Sequence, residues 1–183
     1  MLRIEPATAE DVPLVLRFIR ELAQYERLEH QVVADEALLR RELFGERPGA
    51  EVLIARDQHE PLGFALFFHN FSTFVGRRGL YLEDLYVRPE HRGRGVGAAL
   101  LRRLARLAVA RGCGRFEWAV LDWNAPAIGF YRRLGARPLD DWTVYRLDGQ
   151  ALRRLAASGP GRVSGTSARS PCHARRGRRS PCT

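Results

Sequence analysis

The chain has 183 residues, enough for one domain with a sizeable core, and 45% of them are hydrophobic against 28% charged. This balance is typical of a globular protein and excludes a wholly disordered or membrane-embedded chain. Neither an apolar run near the ~20 residues of a membrane span nor a signal peptide is recognisable, so we expect a cytoplasmic protein without membrane association. Three scattered cysteines exclude a disulfide scaffold, and without closely spaced Cys/His pairs we expect no metal site.

The net charge of +9 is unevenly distributed. Every one of the 30 basic residues is arginine, and six of them follow residue 157, where no acidic residue occurs. Residues 1–157 therefore keep 24 arginines against 21 acidic residues, a net charge of +3. We attribute the all-arginine composition to coding bias and expect no nucleic-acid partner. The alternative is a binding module that senses acyl-CoA and contacts a polyanion through its basic tail.

The last 26 residues, 158–183, differ in composition from the rest. They are rich in Ser, Gly, Pro and Arg, with one Val and no Leu, Ile, Phe, Met, Trp or Tyr. Such a segment cannot bury enough apolar surface to offset the entropy lost on ordering. We therefore predict a disordered tail at 158–183 and a single folded domain at 1–157.

The amino-terminal half of that domain shows alternating strand-like and helix-like patterns. A short strand is predicted at residues 2–5. A helix follows, with Thr8 as N-cap, Asp11 three residues later and apolar residues at helical spacing from Val12 to Ala23. A second helix is predicted at about 35–44. Three strands come next, at residues 51–56, 62–69 and 79–87.

The second half begins with a glycine-rich loop. A long amphipathic helix at about 96–110 follows it, ended by Gly112. The remaining predicted elements are a strand at 115–121, a helix at 124–134 and a final strand at 143–147. The order β-α-α-β-β-β-α-β-α-β predicts an α/β fold with a mixed sheet flanked by helices, in which early hairpins are antiparallel and one later pair is parallel.

The glycine-rich loop has the sequence RGRGVG at residues 92–97. Its glycines leave the backbone N–H groups accessible, and the start of the next helix adds unpaired donors and positive potential, which suits a pyrophosphate. Gly93-x-Gly95-x-x-Ala98, with Asp122 downstream, also matches a dinucleotide fingerprint, so an NAD(P)-dependent oxidoreductase is an alternative. Against that alternative, residues 88–92 separate the glycines from the strand, and the chain offers about one βαβ unit.

Longer segments resemble one enzyme family. VRPEHRGRGVG at 87–97 resembles the acetyl-CoA signature of the GNAT acetyltransferases. ELAQYE at 21–26, YLEDLYV at 81–87 and WNAPAIGFY at 123–131 resemble its spermidine/spermine (diamine) acetyltransferase-like branch, with a mostly antiparallel sheet. The resemblance implies a dimeric, acetyl-CoA-dependent N-acetyltransferase. Its acceptor would be a primary amine of a small cationic substrate, such as a polyamine or thialysine, attacking directly in a ternary complex.

The resemblance also implies catalytic roles. Tyr131 matches the general acid that protonates the departing thiolate. Glu83 matches a residue linked to substrate binding and water-mediated deprotonation of the amine, and Asp84 is the reserve base. Adjacent residues of a regular strand face opposite sides, so both carboxyl groups reach one cavity only if the strand is bulged, as it is in the family.

Further contacts are implied in the same way. Those to the cofactor are expected at Leu85, Tyr86, Val87, Arg92, Gly93, Arg94, Gly95, Val96, Gly97, Ala98, Asn124, Ala127 and Arg133. The amine pocket is expected to comprise Tyr25, Glu26, Glu83, Asp84, Glu117, Trp118 and Ala119. The acidic side chains of this pocket suit a cationic amine. Residues 70–78 depart from the branch, so the identity of the amine stays open.

Overall fold

A computed structural model describes residues 1–159 of the protein. Met1–Leu134 form one compact unit, and a second begins at Gly135. The first unit contains strands β1 (Leu2–Pro6), β2 (Glu51–Asp57), β3 (Glu60–Ser72), β4 (Arg77–Val87) and β5 (Phe116–Trp118). Its helices are α1 (Val12–Glu26), α2 (Glu36–Phe44), α3 (Val96–Ala110) and α4 (Ala125–Arg133). The second unit contains α5 (Gly149–Ala157).

The five strands form one sheet in the order β1-β2-β3-β4-β5. Neighbouring strands from β1 to β4 are antiparallel, and β5 runs parallel to β4. The predicted α/β fold with a mixed, mostly antiparallel sheet is therefore confirmed. Within residues 1–159, no helix combines the length and the apolar character needed to cross a membrane.

Each face of the sheet buries a separate set of apolar side chains. On one face, Leu100 and Leu104 of α3 pack with Phe67 and Leu80. On the other face, Val15 and Phe18 of α1 cluster with strand residues, and the Phe18 and Phe64 rings stack at 5.4 Å. Since alternate residues of a strand point to opposite faces, the sheet is covered by α3 on one side and by α1 and α2 on the other.

Local signals in the sequence explain where the helices begin. The Thr8 N–H donates to Asp11 Oδ2 at 3.0 Å, which confirms the predicted capping box, although one short 3₁₀ turn precedes α1. Asp35 caps α2 by accepting from the Leu38 N–H at 2.8 Å. The third helix spans the residues predicted for it, and Gly112 follows with a φ of 66°.

A bulge in β4 shapes the site described below. Leu66 of β3 pairs with Asp84, but Phe67 pairs with Leu82, so Glu83 is an extra residue in β4. The pairing of β4 with β5 ends at Leu82 and Trp118. Beyond the bulge, β4 is paired with β3 alone within the part of the chain that the structure describes. The bulge implied by the family resemblance is therefore confirmed.

Two predicted strands need correction, and one helix was missed. The structure has no strand at 143–147, where Val144 is 85% and Tyr145 92% exposed. An alternating pattern stabilises a strand only against a neighbouring strand and a core, and this segment has neither among residues 1–159. The fifth strand is three residues long instead of seven, because the bulge turns β4 away after Leu82. Helix α5 was not predicted, and the tail from residue 160 lies outside the described residues.

Candidate active site

A cavity of about 520 Å³ opens where β4 separates from β5. It is lined by the end of α1, β4 beyond the bulge, the glycine-rich loop and α4. Of the residues predicted for the site, it brings together Tyr25, Glu26, Glu83, Asp84, Leu85, Tyr86, Val87, Arg92, Gly93, Gly95, Val96, Gly97, Ala98, Ala119, Asn124, Ala127, Tyr131 and Arg133.

The glycine-rich loop forms one wall of this cavity. Gly93 and Gly95 have φ angles of 75° and 83°, in the left-handed region that side chains disfavour. A Cβ at either position would meet nothing within 4 Å, so backbone conformation and not space calls for glycine. Gly95 is the N-cap of α3 and has no side chain to bond the first N–H groups of the helix. Those donors are available to an anion in the cavity.

Arg92 is held in a defined place beside the loop. Its Nε donates to the Val87 carbonyl oxygen at 2.9 Å. Its guanidinium lies 4.5 Å from the centre of the Tyr25 ring and 5.8 Å from that of Tyr86. Such cation–π contacts are worth about 0.5–1 kcal/mol at an exposed site. The guanidinium of Arg92 is therefore held beside the loop, where its positive charge can bind an anion.

Three carboxyl groups line the same cavity as the glycine-rich loop. The bulge lets adjacent Glu83 and Asp84 both line the cavity, and Glu26 joins them from α1. Burial, together with the neighbouring carboxyl groups of Glu83 and Glu26, raises the pKa of Asp84 from 3.8 to about 7. Burial also raises the pKa of Glu26. Asp84 is consequently near half-protonated at neutral pH, a state suited to proton exchange.

Tyr131 lies on α4 with its ring half-buried. The ring packs 5.1 Å from that of Trp118 and 5.4 Å from that of Phe130. Burial, and to a lesser extent Glu26 and Tyr25, raises the pKa of Tyr131 to about 12. The hydroxyl therefore stays protonated at neutral pH and can act as a hydrogen-bond or proton donor.

Comparison with known proteins identifies the family. The profile of the Acetyltransferase (GNAT) family matches residues 16–136, which include the whole cavity lining. The chain belongs to the GNAT acetyltransferase family. This membership favours the acetyltransferase interpretation of the glycine-rich loop over the dinucleotide fingerprint, and the protein is an N-acetyltransferase.

Individual relatives resemble this GNAT chain over most of its length. The thialysine N-epsilon-acetyltransferase of Sus scrofa is 42% identical over 164 residues, 84% of this chain and 96% of its own. The L-ornithine N5-acetyltransferase of Arabidopsis thaliana is 33% identical and is matched over 87% of its length. Among solved structures, an integron cassette protein from V. cholerae superposes with a TM-score of 0.73 at 30% identity, over 86% of this chain and 98% of its own.

Three residues predicted for the site of the GNAT domain do not line the cavity. Glu117 accepts a hydrogen bond from Asn70 Nδ2 at 3.1 Å and lies 2.8 Å from Arg115 Nε, so its charge is compensated elsewhere. Trp118 packs behind the Tyr131 ring. Arg94 lines a separate pocket of about 150 Å³. Their proposed contacts with substrate or cofactor stay predictions.

The cavity also includes residues that sequence reasoning missed. They are Leu22, His91, Val120, Pro126 and Phe130. Phe130 and His91 lie inside the motifs that carry the resemblance, so the predicted site residues beside them in the sequence could have indicated both. A Cβ at Gly97 would lie 3.7 Å from Phe130 Cζ, an ordinary van der Waals distance, so Phe130 lies against the third glycine of the loop without requiring glycine there.

An ion pair fixes the start of the loop against the first helix. The Arg88 guanidinium binds both carboxylate oxygens of Glu21, at 3.1 and 2.9 Å, and lies 5.1 Å above the Phe18 ring. Arg88 also donates to the Pro61 carbonyl oxygen at 3.3 Å. A bidentate, partly buried pair of this kind restricts geometry as well as adding energy. It ties the residue before the loop to α1, and the loop and the end of α1 line one cavity.

Proposed function

We propose that the protein transfers an acetyl group from acetyl-CoA to a primary amine of a small cationic substrate, such as a polyamine, thialysine or ornithine. The observation that carries this proposal is the position of Glu26, Glu83 and Asp84 in the same cavity as the glycine-rich loop. The acidic side chains favour ammonium groups, and the glycine-rich loop favours phosphates. The names of the pig and Arabidopsis relatives are consistent with an amine of this class.

The residues that line the cavity are of the kinds that would hold acetyl-CoA, which would supply a thioester when bound. Gly93, Gly95 and the first turn of α3 would hold its pyrophosphate, with Arg92 and Arg133 nearby. Leu85, Tyr86 and Val87 lie on the part of β4 that has no β5 partner. Their backbone groups would hold the pantetheine arm by hydrogen bonds of the kind that a neighbouring strand makes.

The substrate amine arrives protonated, because an alkylammonium has a pKa near ~10. Asp84 is the proposed proton acceptor, since its pKa of about 7 suits general-base catalysis at neutral pH. Entry of a cation beside Asp84 lowers that pKa and favours the form that can accept a proton. Glu83, whose side chain is more exposed, binds the ammonium. This moves the base role, which the resemblance implied for Glu83, to the reserve residue Asp84 and leaves Glu83 its role in substrate binding.

Tyr131 is the proposed general acid. Its hydroxyl donates a proton to the departing sulfur while the amine nitrogen forms its bond to the acetyl carbon. The packing against Trp118 and Phe130 fixes the direction of this hydroxyl. The phenolate would then take the proton that the acylated nitrogen must lose to become an amide, and Asp84 would release the first amine proton to solvent through the open cavity.

The test measures free thiol release from acetyl-CoA with spermidine, putrescine, thialysine, ornithine and lysine side by side. We expect saturable release with at least one of them, reduced strongly in Tyr131→Phe. Tyr81→Phe is the matched control, since Tyr81 packs on Phe68 outside the cavity. The proposal would be refuted if no amine caused thiol release and calorimetry detected no binding of acetyl-CoA.

Two further proposals concern the whole chain. The protein is proposed to form a dimer, which the exposed apolar side chains of Trp142, Val144 and Tyr145 support, because large exposed apolar groups mark contact surfaces. Light scattering of the purified chain checks the mass.

A 1–157 truncation is proposed to retain activity, and the same thiol assay tests it. The cytoplasmic location stays a prediction.

A further inference from the structure

Tyr25 touches two separate parts of the cavity wall. Its ring lies under the Arg92 guanidinium at 4.5 Å, beside the glycine-rich loop. Its hydroxyl donates to Asn124 Oδ1 at 3.2 Å, across 99 positions of sequence. Tyr25 therefore connects Arg92, beside the glycine-rich loop, with Asn124. This is in addition to the amine contact that the family resemblance implied.

The contact with Asn124 leads to the catalytic helix. The same Oδ1 accepts from the Ala127 N–H at 3.3 Å and so caps α4, the helix that carries Tyr131. Asn124 is buried, at 8% exposure, so few other partners compete for this oxygen. A shift of Asn124 would change the first turn of α4 and, through a nine-residue helix, the direction of the Tyr131 hydroxyl.

The contact with Arg92 leads to the cofactor loop. Arg92 is anchored by its Nε bond to the Val87 carbonyl oxygen and by the Tyr25 ring, which leaves its terminal nitrogens free for a phosphate. Holding a long side chain in its binding conformation lowers the entropy lost when a ligand binds. The ring of Tyr25 thus orients Arg92 beside the loop, and its hydroxyl bonds the Asn124 side chain that caps α4.

We propose that Tyr25 is a positioning residue that couples the anion-binding loop to the general acid, with its ring orienting Arg92 and its hydroxyl fixing the Asn124 cap of the helix that carries Tyr131. The inference rests on the proposed function for its kinetic consequences. Its structural consequences, helix capping and the placement of Arg92, hold whether or not an amine is acetylated.

Two substitutions separate the contacts. Tyr25→Phe keeps the ring and removes the hydroxyl, whereas Tyr25→Leu removes both. We expect the affinity for acetyl-CoA, measured by calorimetry, to stay within about twofold in Tyr25→Phe and to fall about two- to fivefold further in Tyr25→Leu. Equal affinities in the two variants would contradict the role of the ring.

Hydrogen exchange tests the hydroxyl without any turnover. The amides at the start of α4 should exchange about two- to tenfold faster in Tyr25→Phe than in the unmodified chain, because the Asn124 cap loses one partner. The control variant Tyr81→Phe should leave α4 unchanged. Unchanged exchange of α4 in Tyr25→Phe would overturn the proposal, even if the protein acetylates no amine.

Kinetics then distinguish positioning from direct amine contact. Tyr25→Phe should lower kcat about three- to tenfold with little change in the KM for the amine. In a Tyr131→Phe background the same substitution should change kcat less than about twofold, because its effect acts through Tyr131. A raised KM at constant kcat, or equal effects in both backgrounds, would refute coupling. Absence of turnover in the unmodified protein would refute the proposed function and leave the exchange result to decide on coupling.

Discussion

Replacing Asp84 with asparagine removes a carboxyl group that the fold holds in an unfavourable setting. Its pKa rises from 3.8 to about 7, by roughly three pH units, and each unit corresponds to about 1.36 kcal/mol. The native state therefore binds more protons at Asp84 than the unfolded chain between about pH 4 and pH 7. Stability must fall as pH rises through this window, by up to about 4 kcal/mol at pH 8.

The asparagine side chain in Asp84→Asn is uncharged at every pH. The contribution of residue 84 to the fall in stability with rising pH should therefore be absent from this variant. The assay is urea unfolding of both proteins at pH 5, 6, 7 and 8, read as the difference between them at each pH. Groups distant from Asp84 cancel in that difference, including Glu51, whose ion pair with Arg111 lowers its pKa. The variant should gain stability relative to the unmodified chain as pH rises.

The same substitution should impair catalysis. If Asp84 accepts the amine proton, Asp84→Asn should lower kcat by about 10²-fold or more. The rise of kcat/KM near pH 7 that Asp84 causes should also disappear. A difference in unfolding free energy that is constant from pH 5 to pH 8 would refute the burial argument, and an unchanged pH–rate profile would refute the base role.

The other substitutions test the remaining parts of the site. Glu83→Gln should raise the KM for the amine more than it lowers kcat in steady-state kinetics, since we assign this side chain to ammonium binding. Gly95→Ala should lower the free energy of unfolding by about 1–2 kcal/mol in urea titrations, because its φ is 83°, whereas Gly97→Ala should not. Tyr131→Phe should lower kcat by about 10²-fold at unchanged acetyl-CoA affinity, and an unaltered kcat would exclude it as the general acid.

Elements with strong local signals were predictable. The residues predicted for α3 match the structure because helical periodicity, a preceding glycine loop and Gly112 all specify the same bounds. The family resemblance implied a bulge in the strand that carries Glu83 and Asp84, and the structure places it at Glu83. Most residues predicted for the site also line the cavity, and they lie within motifs of that family.

The errors arise where neighbours in space decide the structure. The 143–147 segment has a strand pattern, yet no pairing strand lies beside it in residues 1–159. Glu117, whose contact with the amine stays a prediction, does not line the cavity, and its Oε2 binds Arg115 and Asn70. The raised pKa of Asp84 depends on burial, on the neighbouring Glu83 and on Glu26 from helix α1, and no spacing in the sequence reveals the burial or the approach of α1.

The most direct measurement is free thiol release from acetyl-CoA with thialysine, ornithine and polyamines at pH 8, for the unmodified chain, Asp84→Asn and Tyr131→Phe together. We expect saturable release by the unmodified chain and a loss of about 10²-fold in each variant, with acetyl-CoA binding preserved in all three. Thiol release that is equal in all three proteins would contradict this assignment of the active site, and release with none of the amines would contradict the proposed acceptor class.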